Sequence, residues 1–350
     1  MTNLIFTGDD KNMKGNPMTK ATLGEADGEK GFSLAEQYSH IKGWPKHPLA
    51  QNSKGGTERM MDTLYERLPE DLRDMYQVIC SRVDESLFDG RPRVLWLHDL
   101  WNDPQAEHLK DKISRSRFRK QVYVSHYQQA TYNIGLGVPY QDGVVLRNAI
   151  DPIEEHSKPT DRISLIYHTT PHRGLDILVA AYQSLSEEYK EKVHLNVYSS
   201  FNIYGWGQRD EEFASVFKAI DEHPHMTNHG AVPNDQIRAA LKESHIFAYP
   251  STWHETSCIA AIEAMSAGCQ IVTSSLGALP ETTGGFATMY SFVENRQFHA
   301  NMFAGALKQA IDNHESFINT NKAQVQKNWA DFVYNWDIRV REWENLLRQL

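Results

Sequence analysis

The sequence predicts an α/β protein built as two doubly wound domains in tandem. Its 350 residues exceed one ordinary core and suit two. Short apolar runs alternate with segments of helical periodicity, the pattern of parallel strands with helices on both faces. A polar, proline-bearing stretch just after residue 150 then splits this alternation into two series.

The first series opens with the apolar run LIFTG near residue 4. It continues through the helical segment GGTERMMDTLYERL and the strand-like runs YQVIC, RVLWLHD, QVYVSH and GVVLRN. Residues 9–54, rich in Lys, Gly and Pro, intervene before Gly55, and a loop of that length inside a domain is usually a functional or mobile one. EEHSKPTD, with Pro152 just before it, reads as a linker, so the first domain is placed at 1–150 and the second at 151–330. The second series runs RISLIYH, LDILVAAYQSL, VHLNVYS, EEFASVFKAI, IRAALKESH, IFAYP, SCIAAIEAMSAG and QIVTSS. Over 331–350, Trp336, Val340, Trp343 and Leu347 recur at helical spacing and predict a helix with one apolar face.

Hydrophobic content of 40% and charged content of 23% are those of a globular protein with real cores. The net charge of −9 argues against a protein that coats nucleic acid or anionic membrane with its whole surface. Three cysteines with no CxxC pair fit a reducing compartment, and the expected location is cytoplasmic. The start of the chain has neither a signal peptide's pattern nor a spanning helix's, so membrane contact would be peripheral.

The most informative stretch is HETSCIAAIE, where Glu255 and Glu263 bracket seven uncharged residues. A strand ending at Pro250, a loop, a helix starting near Ser257 and ending at Gly268, and a further strand place Glu255 outside a strand's carboxyl end. Open α/β sheets bind ligands in that crevice. Thr256, Ser257, Cys258 and Ile259 would present backbone N–H groups at the helix start, a setting that stabilises an anion. Eight residues of helix rise span roughly 12 Å, the scale of a diphosphate with a sugar at each end. The plain alternative is that Glu255 caps the helix and Glu263 faces solvent.

The run HIFAYPSTWHETSCIAAIEAMSAGCQIVTSSLGALPE resembles the donor-site signature of retaining GT-B glycosyltransferases of family four. In that signature two glutamates stand seven residues apart, an Ala-Met-x-x-Gly turn follows, and Leu-Pro-Glu comes further on. The resemblance implies two Rossmann-like domains facing across a cleft, with Glu255 on the transferred sugar and Glu263 on the ribose of a UDP- or GDP-linked donor. It places Arg173, in HTTPHRGLDIL, as the phosphate-binding cation; the second cation, usual six positions earlier, is replaced here by Tyr167. It places His98, after RVLWL, against the transferred sugar, Gly55 and Gly56 where backbone approaches the diphosphate, and the terminal helix back on the first domain. Read without the resemblance, Arg173, His98 and the glycine pair are also explicable as a surface charge, a structural histidine and a plain turn.

No Asp-x-Asp pair occurs to hold a metal-bound diphosphate, and His223, His225 and His229 lack a nearby fourth ligand, so no metal or other cofactor is expected beyond the nucleotide-sugar co-substrate. Six basic residues crowd Lys110–Lys120, with Lys112, Arg115 and Arg119 on one helical face. They form either a solvated face or a contact with an anionic acceptor or membrane surface, nucleic acid being the less favoured acceptor. The expected function is a metal-independent retaining glycosyltransferase using a nucleoside diphosphate sugar and an unidentified acceptor. A nucleotide-sugar epimerase or hydrolase on the same fold, or a non-catalytic donor-binding module, are the alternatives.

Overall fold

The computed structural model describes residues 43–46 and 55–350. The strand read at LIFTG lies outside these residues, as does all of segment 9–54 except 43–46. Helix α1 (Gly56–Arg67) precedes a parallel sheet of four strands, β1 (Gln77–Cys80), β2 (Arg93–Leu97), β3 (Lys120–Tyr123) and β4 (Gly143–Val145), in the order β1-β2-β3-β4. Helix α2 (His126–Leu136) follows β3, with Ser125 capping it through a bond from the Gln128 N–H. That cap satisfies a donor which the first helical turn leaves unpaired.

The second sheet holds six parallel strands: β5 (Ile163–Tyr167), β6 (Val193–Val197), β7 (Met226–Asn228), β8 (Ile246–Tyr249), β9 (Gln270–Ser274) and β10 (Thr288–Tyr290). Their order is β10-β9-β8-β5-β6-β7. The chain first builds outward from β5 through β6 to β7, then returns to the other side of β5 with β8. This is the doubly wound arrangement, and the connections leaving β5 and β8 diverge and open a crevice at their carboxyl ends. Strands β8 and β9 are buried at every residue, as expected of central strands covered on both faces. Strand β7 falls in HPHMTNH, which sequence patterning reads as a polar loop. It is a three-residue edge strand with one buried side chain, Met226, too short to show alternation.

Helices α3 (Leu175–Gln183), α4 (Asn234–Glu243), α5 (Ile259–Ser266) and α6 (Arg296–Asp312) flank the second sheet, followed by α7 (Lys322–Val333) and α8 (Trp336–Gln349). Helix α5 starts two residues later than expected, with Cys258 as its N-cap, and ends before Gly268, whose φ of +68° suits the left-handed stop. Helix α8 returns to the first domain. Trp336, Trp343 and Leu347 join Met60, Leu64, Val94 and Trp96 in its core, and the Trp343 ring meets Trp96 edge-on at 5.0 Å between centroids. The chain therefore passes between the two sheets twice, and the crossings lie side by side. The Ile150 N–H donates to the Tyr334 carbonyl at 2.7 Å and the Trp336 N–H to the Ile150 carbonyl at 3.3 Å. Among the described residues no helix is long and apolar enough to cross a membrane.

Trp343→Ala should remove the aromatic side chain that closes the first domain's core over Trp96. The expected cost is about 3–5 kcal/mol, to be measured by denaturant unfolding followed by tryptophan fluorescence. An unchanged midpoint would mean that α8 contributes little to this domain.

Candidate active site

Glycine at 174 is what lets the loops after β5 and β8 touch. Its φ is +118°, and a Cβ there would lie 2.2 Å from the Pro250 carbonyl oxygen, which no side chain could occupy. The loops are then sewn together: the Thr252 N–H donates to the Arg173 carbonyl at 3.2 Å, and the Thr252 hydroxyl to the His172 carbonyl at 3.1 Å. A third loop, after β9, fixes Glu255 from behind, the Ala278 N–H donating to the Glu255 carbonyl at 2.7 Å.

Held in this way, Glu255 is only 4% exposed. Its Oε1 accepts from Arg173 Nη1 at 2.6 Å and from the Tyr249 hydroxyl at 2.5 Å. Burial would lower the proton affinity of the Arg173 guanidinium, but the adjacent Glu255 carboxylate overrides this and holds it above the ordinary arginine range. Burial, reinforced by Glu255, pushes the Tyr249 phenol up, so it stays a neutral donor. The Nε of Arg173 is shielded and without a partner, leaving the guanidinium a donor to spare.

Glu263, at 2% exposure, sits one turn into α5. Every residue from Ala261 to Ser266 is buried, so a carboxylate here requires partners, and the solvent-facing alternative for Glu263 does not hold. Both of its oxygens accept from Asn234 Nδ2 at 3.2 Å, and Oε1 also from Arg59 Nη2 at 3.1 Å, with Arg238 Nη1 at 3.7 Å. Arg59 comes from α1, in the other domain. Gly56, at the start of α1, comes so close to α5 that a Cβ would stand 3.0 Å from Ile259 Cδ1. The N-termini of α1 and α5 thus meet at one corner, each turning the positive end of its dipole toward it.

These groups line one cleft of about 1260 Å³ bounded by both sheets. It brings together all of Gly55, Gly56, His98, Arg173, Glu255, Thr256, Ser257, Cys258, Ile259 and Glu263. The placement corrects one detail. Because α5 begins at Ile259, Thr256 and Ser257 precede its first turn, and the Thr256 hydroxyl instead donates across the cleft to the His98 carbonyl at 2.8 Å. His98 follows β2 directly, its ring packs on Trp96, and its Nε2 has no partner. Arg59, Asn234 and Tyr249 are site residues that sequence reasoning missed. Only Tyr249, ending the IFAY strand, carried a positional signal. Also unforeseen, Arg209 lies over the Phe201 ring, its guanidinium carbon 4.3 Å from the centroid, and Phe201 stacks in turn on His172.

Tyr167, where a second cation was sought, is buried and donates its hydroxyl to the Thr170 carbonyl at 2.9 Å. The basic run Lys110–Lys120 is not the continuous helical face it was expected to be. Only Lys112–Arg115 is α-helical, Lys110 ending a separate 3-10 turn; Arg115 is bonded to Asp142 and two carbonyls, Arg117 to Glu85, and none of the run lines the cleft. His229 pairs with Asn196 and stacks on Tyr198. Among the described residues no group of three or more His, Cys, Asp or Glu side chains is arranged to hold a metal ion.

Further contacts join the domains around the cleft. The Glu281 carboxylate accepts from the His126 and Tyr127 N–H groups at 3.1 and 3.0 Å, capping α2 from the opposite domain, and the Tyr127 hydroxyl meets His254 Nδ1 at 3.1 Å.

The arrangement agrees with what comparison finds. Residues 163–330 match the family described as Glycosyl transferases group 1. The chain has the GT-B fold and is related to these transferases. It is 29% identical over 142 residues to one of the polypeptides of human phosphatidylinositol N-acetylglucosaminyltransferase, covering 39% of this chain and only 28% of that protein. In three dimensions it is similar to Anabaena HepE solved with UDP-glucose, at a TM-score of 0.61 and 15% identity over 88% of this chain and 86% of the other. A glycosyltransferase from Rickettsia africae gives a TM-score of 0.60 and 14% identity over 91% and 88%. Sucrose-phosphate synthase from Thermosynechococcus elongatus gives 0.60 and 14% over 82% and 79%.

The cleft histidines have a consequence for stability. Burial pushes His98 down to about 3 and His168 and His172 to about 4, so all three are neutral near pH 7. A histidine with a depressed folded-state value contributes stability that is complete above its unfolded value, about 6.5, and is lost as pH falls toward the folded value. Acidification from about pH 7 to about pH 4.5 should therefore destabilise the protein, because the unfolded chain takes up protons that the folded one refuses. His168→Asn is expected to reduce that loss by about 2 kcal/mol, read from melting temperature against pH. Parallel curves for variant and wild type would show that His168 is not the titrating group.

Proposed function

We propose that this protein is a retaining glycosyltransferase that moves a sugar from a nucleoside diphosphate donor to an acceptor hydroxyl, without a metal ion. The observation that carries this reading is the meeting of Arg173, Glu255, Glu263 and two helix N-termini in one cleft between the sheets. Glu263 and Asn234 would hold the ribose, the amides at the start of α5 and the Arg173 guanidinium the diphosphate, and Glu255 and His98 the sugar. The bond from the anomeric carbon to phosphate breaks, the acceptor oxygen bonds to that carbon on the same face, and the acceptor's proton leaves with the diphosphate.

Fixed donors aimed at the charge that develops on the leaving group are the main catalytic resource of such a site. His98, with its depressed proton affinity, orients the sugar by hydrogen bonding and does not serve as a base near pH 7. The contacts between the domains at the rim would exclude water once the donor is in place. UDP-glucose bound to HepE supports a uridine nucleotide as the first donor to try.

The test is acceptor-dependent release of nucleoside diphosphate from a donor panel, run in excess chelator. Turnover should persist there, since the protein itself supplies the positive charge. Arg173→Ala is expected to lower it by about 10² to 10³, and Arg173→Lys to recover part, because a point charge restores neutrality to Glu255 but not the guanidinium's fork. Glu263→Ala should weaken free diphosphate and intact donor alike, whereas Glu255→Ala should weaken chiefly the intact donor, both measured by calorimetry. Donor consumption independent of any acceptor would point instead to a hydrolase or epimerase, and loss of turnover on chelation would refute the metal-free mechanism.

A further inference from the structure

The charge balance at the phosphate end of the cleft is incomplete, and Arg59 is placed to complete it. Arg173 is already bonded to Glu255, so the pair carries no net charge, whereas a nucleoside diphosphate brings more than one negative charge. Of the other cations lining the cleft, Lys46 is engaged by Asp62, Arg82 lies near Asp99, and Arg209 lies over the Phe201 ring beside His172. Arg59 stands on the first turn of α1, beside the corner where α1 and α5 begin. Its side chain is 36% exposed, and among the described residues its carboxylate partner is Glu263.

That partner is the group which, on the reading above, must accept ribose hydroxyls. Glu263 can release Arg59 without being left bare, because Asn234 bonds both of its oxygens and Arg238 lies close by. Glu263 is four residues from Ile259, a rise of about 6 Å along α5, and an arginine side chain is long enough to swing over that distance. Helical side chains also lean toward their own N-terminus, so both Arg59 and Glu263 are aimed at the shared corner.

We infer that Arg59 exchanges partners on donor binding. In the empty cleft it ties the two domains together through Glu263. When a nucleoside diphosphate enters, ribose hydroxyls replace it on Glu263 and its guanidinium passes to the diphosphate, supplying the second cation from the opposite domain. Donor binding and domain closure would then be coupled through one side chain. The inference rests on the donor-site reading, and the experiment separates the two.

Calorimetry with UDP and uridine as probes, and with GDP and guanosine in parallel, is applied to the wild type, Arg59→Ala and Arg59→Lys. Arg59→Ala should weaken the diphosphate by about 10- to 100-fold, the range for a lost charge-assisted hydrogen bond. It should leave the nucleoside unchanged or bind it several-fold tighter, because a competitor for Glu263 has gone. Arg59→Lys should recover part of the diphosphate affinity. Equal changes for nucleoside and diphosphate would reduce Arg59 to a simple latch and overturn the exchange. So would an unaltered diphosphate affinity, and a loss in Arg82→Ala or Arg209→Ala instead would assign the charge to that residue. Failure of the wild type to bind any of the four probes would overturn the donor-site reading, and this inference with it.

Discussion

A buried ion pair, Arg173 to Glu255, joins two loops that the topology of the sheet forces apart. Strands β5 and β8 are neighbours, yet the chain leaves them in opposite directions, so their carboxyl ends open into a crevice bridged in the backbone by the bond from the Thr252 N–H to the Arg173 carbonyl. The side chains span it. Two charges brought out of water give little net stability, because desolvation offsets most of their attraction. What the pair fixes is direction: the Tyr249 hydroxyl and the Arg173 guanidinium both hold Glu255 Oε1, so the carboxylate has one orientation. Removing either charge would strand the other, and the geometry of the whole cleft follows from this contact.

The two cores remain separate in keeping with that function. One apolar cluster fills the second sheet and its helices, and others fill the first, while only Ile150, Ile262 and Tyr334 make a small cluster at the crossing. Around the cleft the domains meet through polar contacts, Arg59 with Glu263 and Glu281 with the start of α2. Polar, solvent-reachable interfaces of this kind separate more easily than apolar ones. The paired crossings at Ile150 and Tyr334–Trp336 bring both connections to one place, which suits rotation of one domain against the other about a short hinge.

Much of this was legible because it is local. Strands β1 to β4 follow from four short apolar runs, and the α8 stripe of Trp336, Trp343 and Leu347 follows from helical spacing. Glu255 and Glu263 stood out because carboxylates in an otherwise apolar helix and its entry loop demand an explanation. Strand β7 escaped because one buried residue in three makes no pattern. The basic run Lys110–Lys120 showed its charge but not its partners for a related reason: charge density marks composition, and Asp142, Glu85 and backbone carbonyls reach those side chains only in the folded chain.

The sequence by itself determined the class of fold, the strand–loop–helix unit that carries Glu255, and the placing of His98 at the end of a strand and of Arg173 just before a helix. Periodicity and spacing are properties of neighbours along the chain, and these features need nothing else. Tertiary structure alone decided that Arg173 and Glu255 bond to each other, that Tyr249 and Asn234 complete the carboxylates' partners, and that Arg59, 204 residues before Glu263, faces it across the cleft. Those pairings depend on the angle at which two separate sheets meet. No local pattern encodes that angle, because it is set by where the two crossings lie and by which polar groups are left to be satisfied between them.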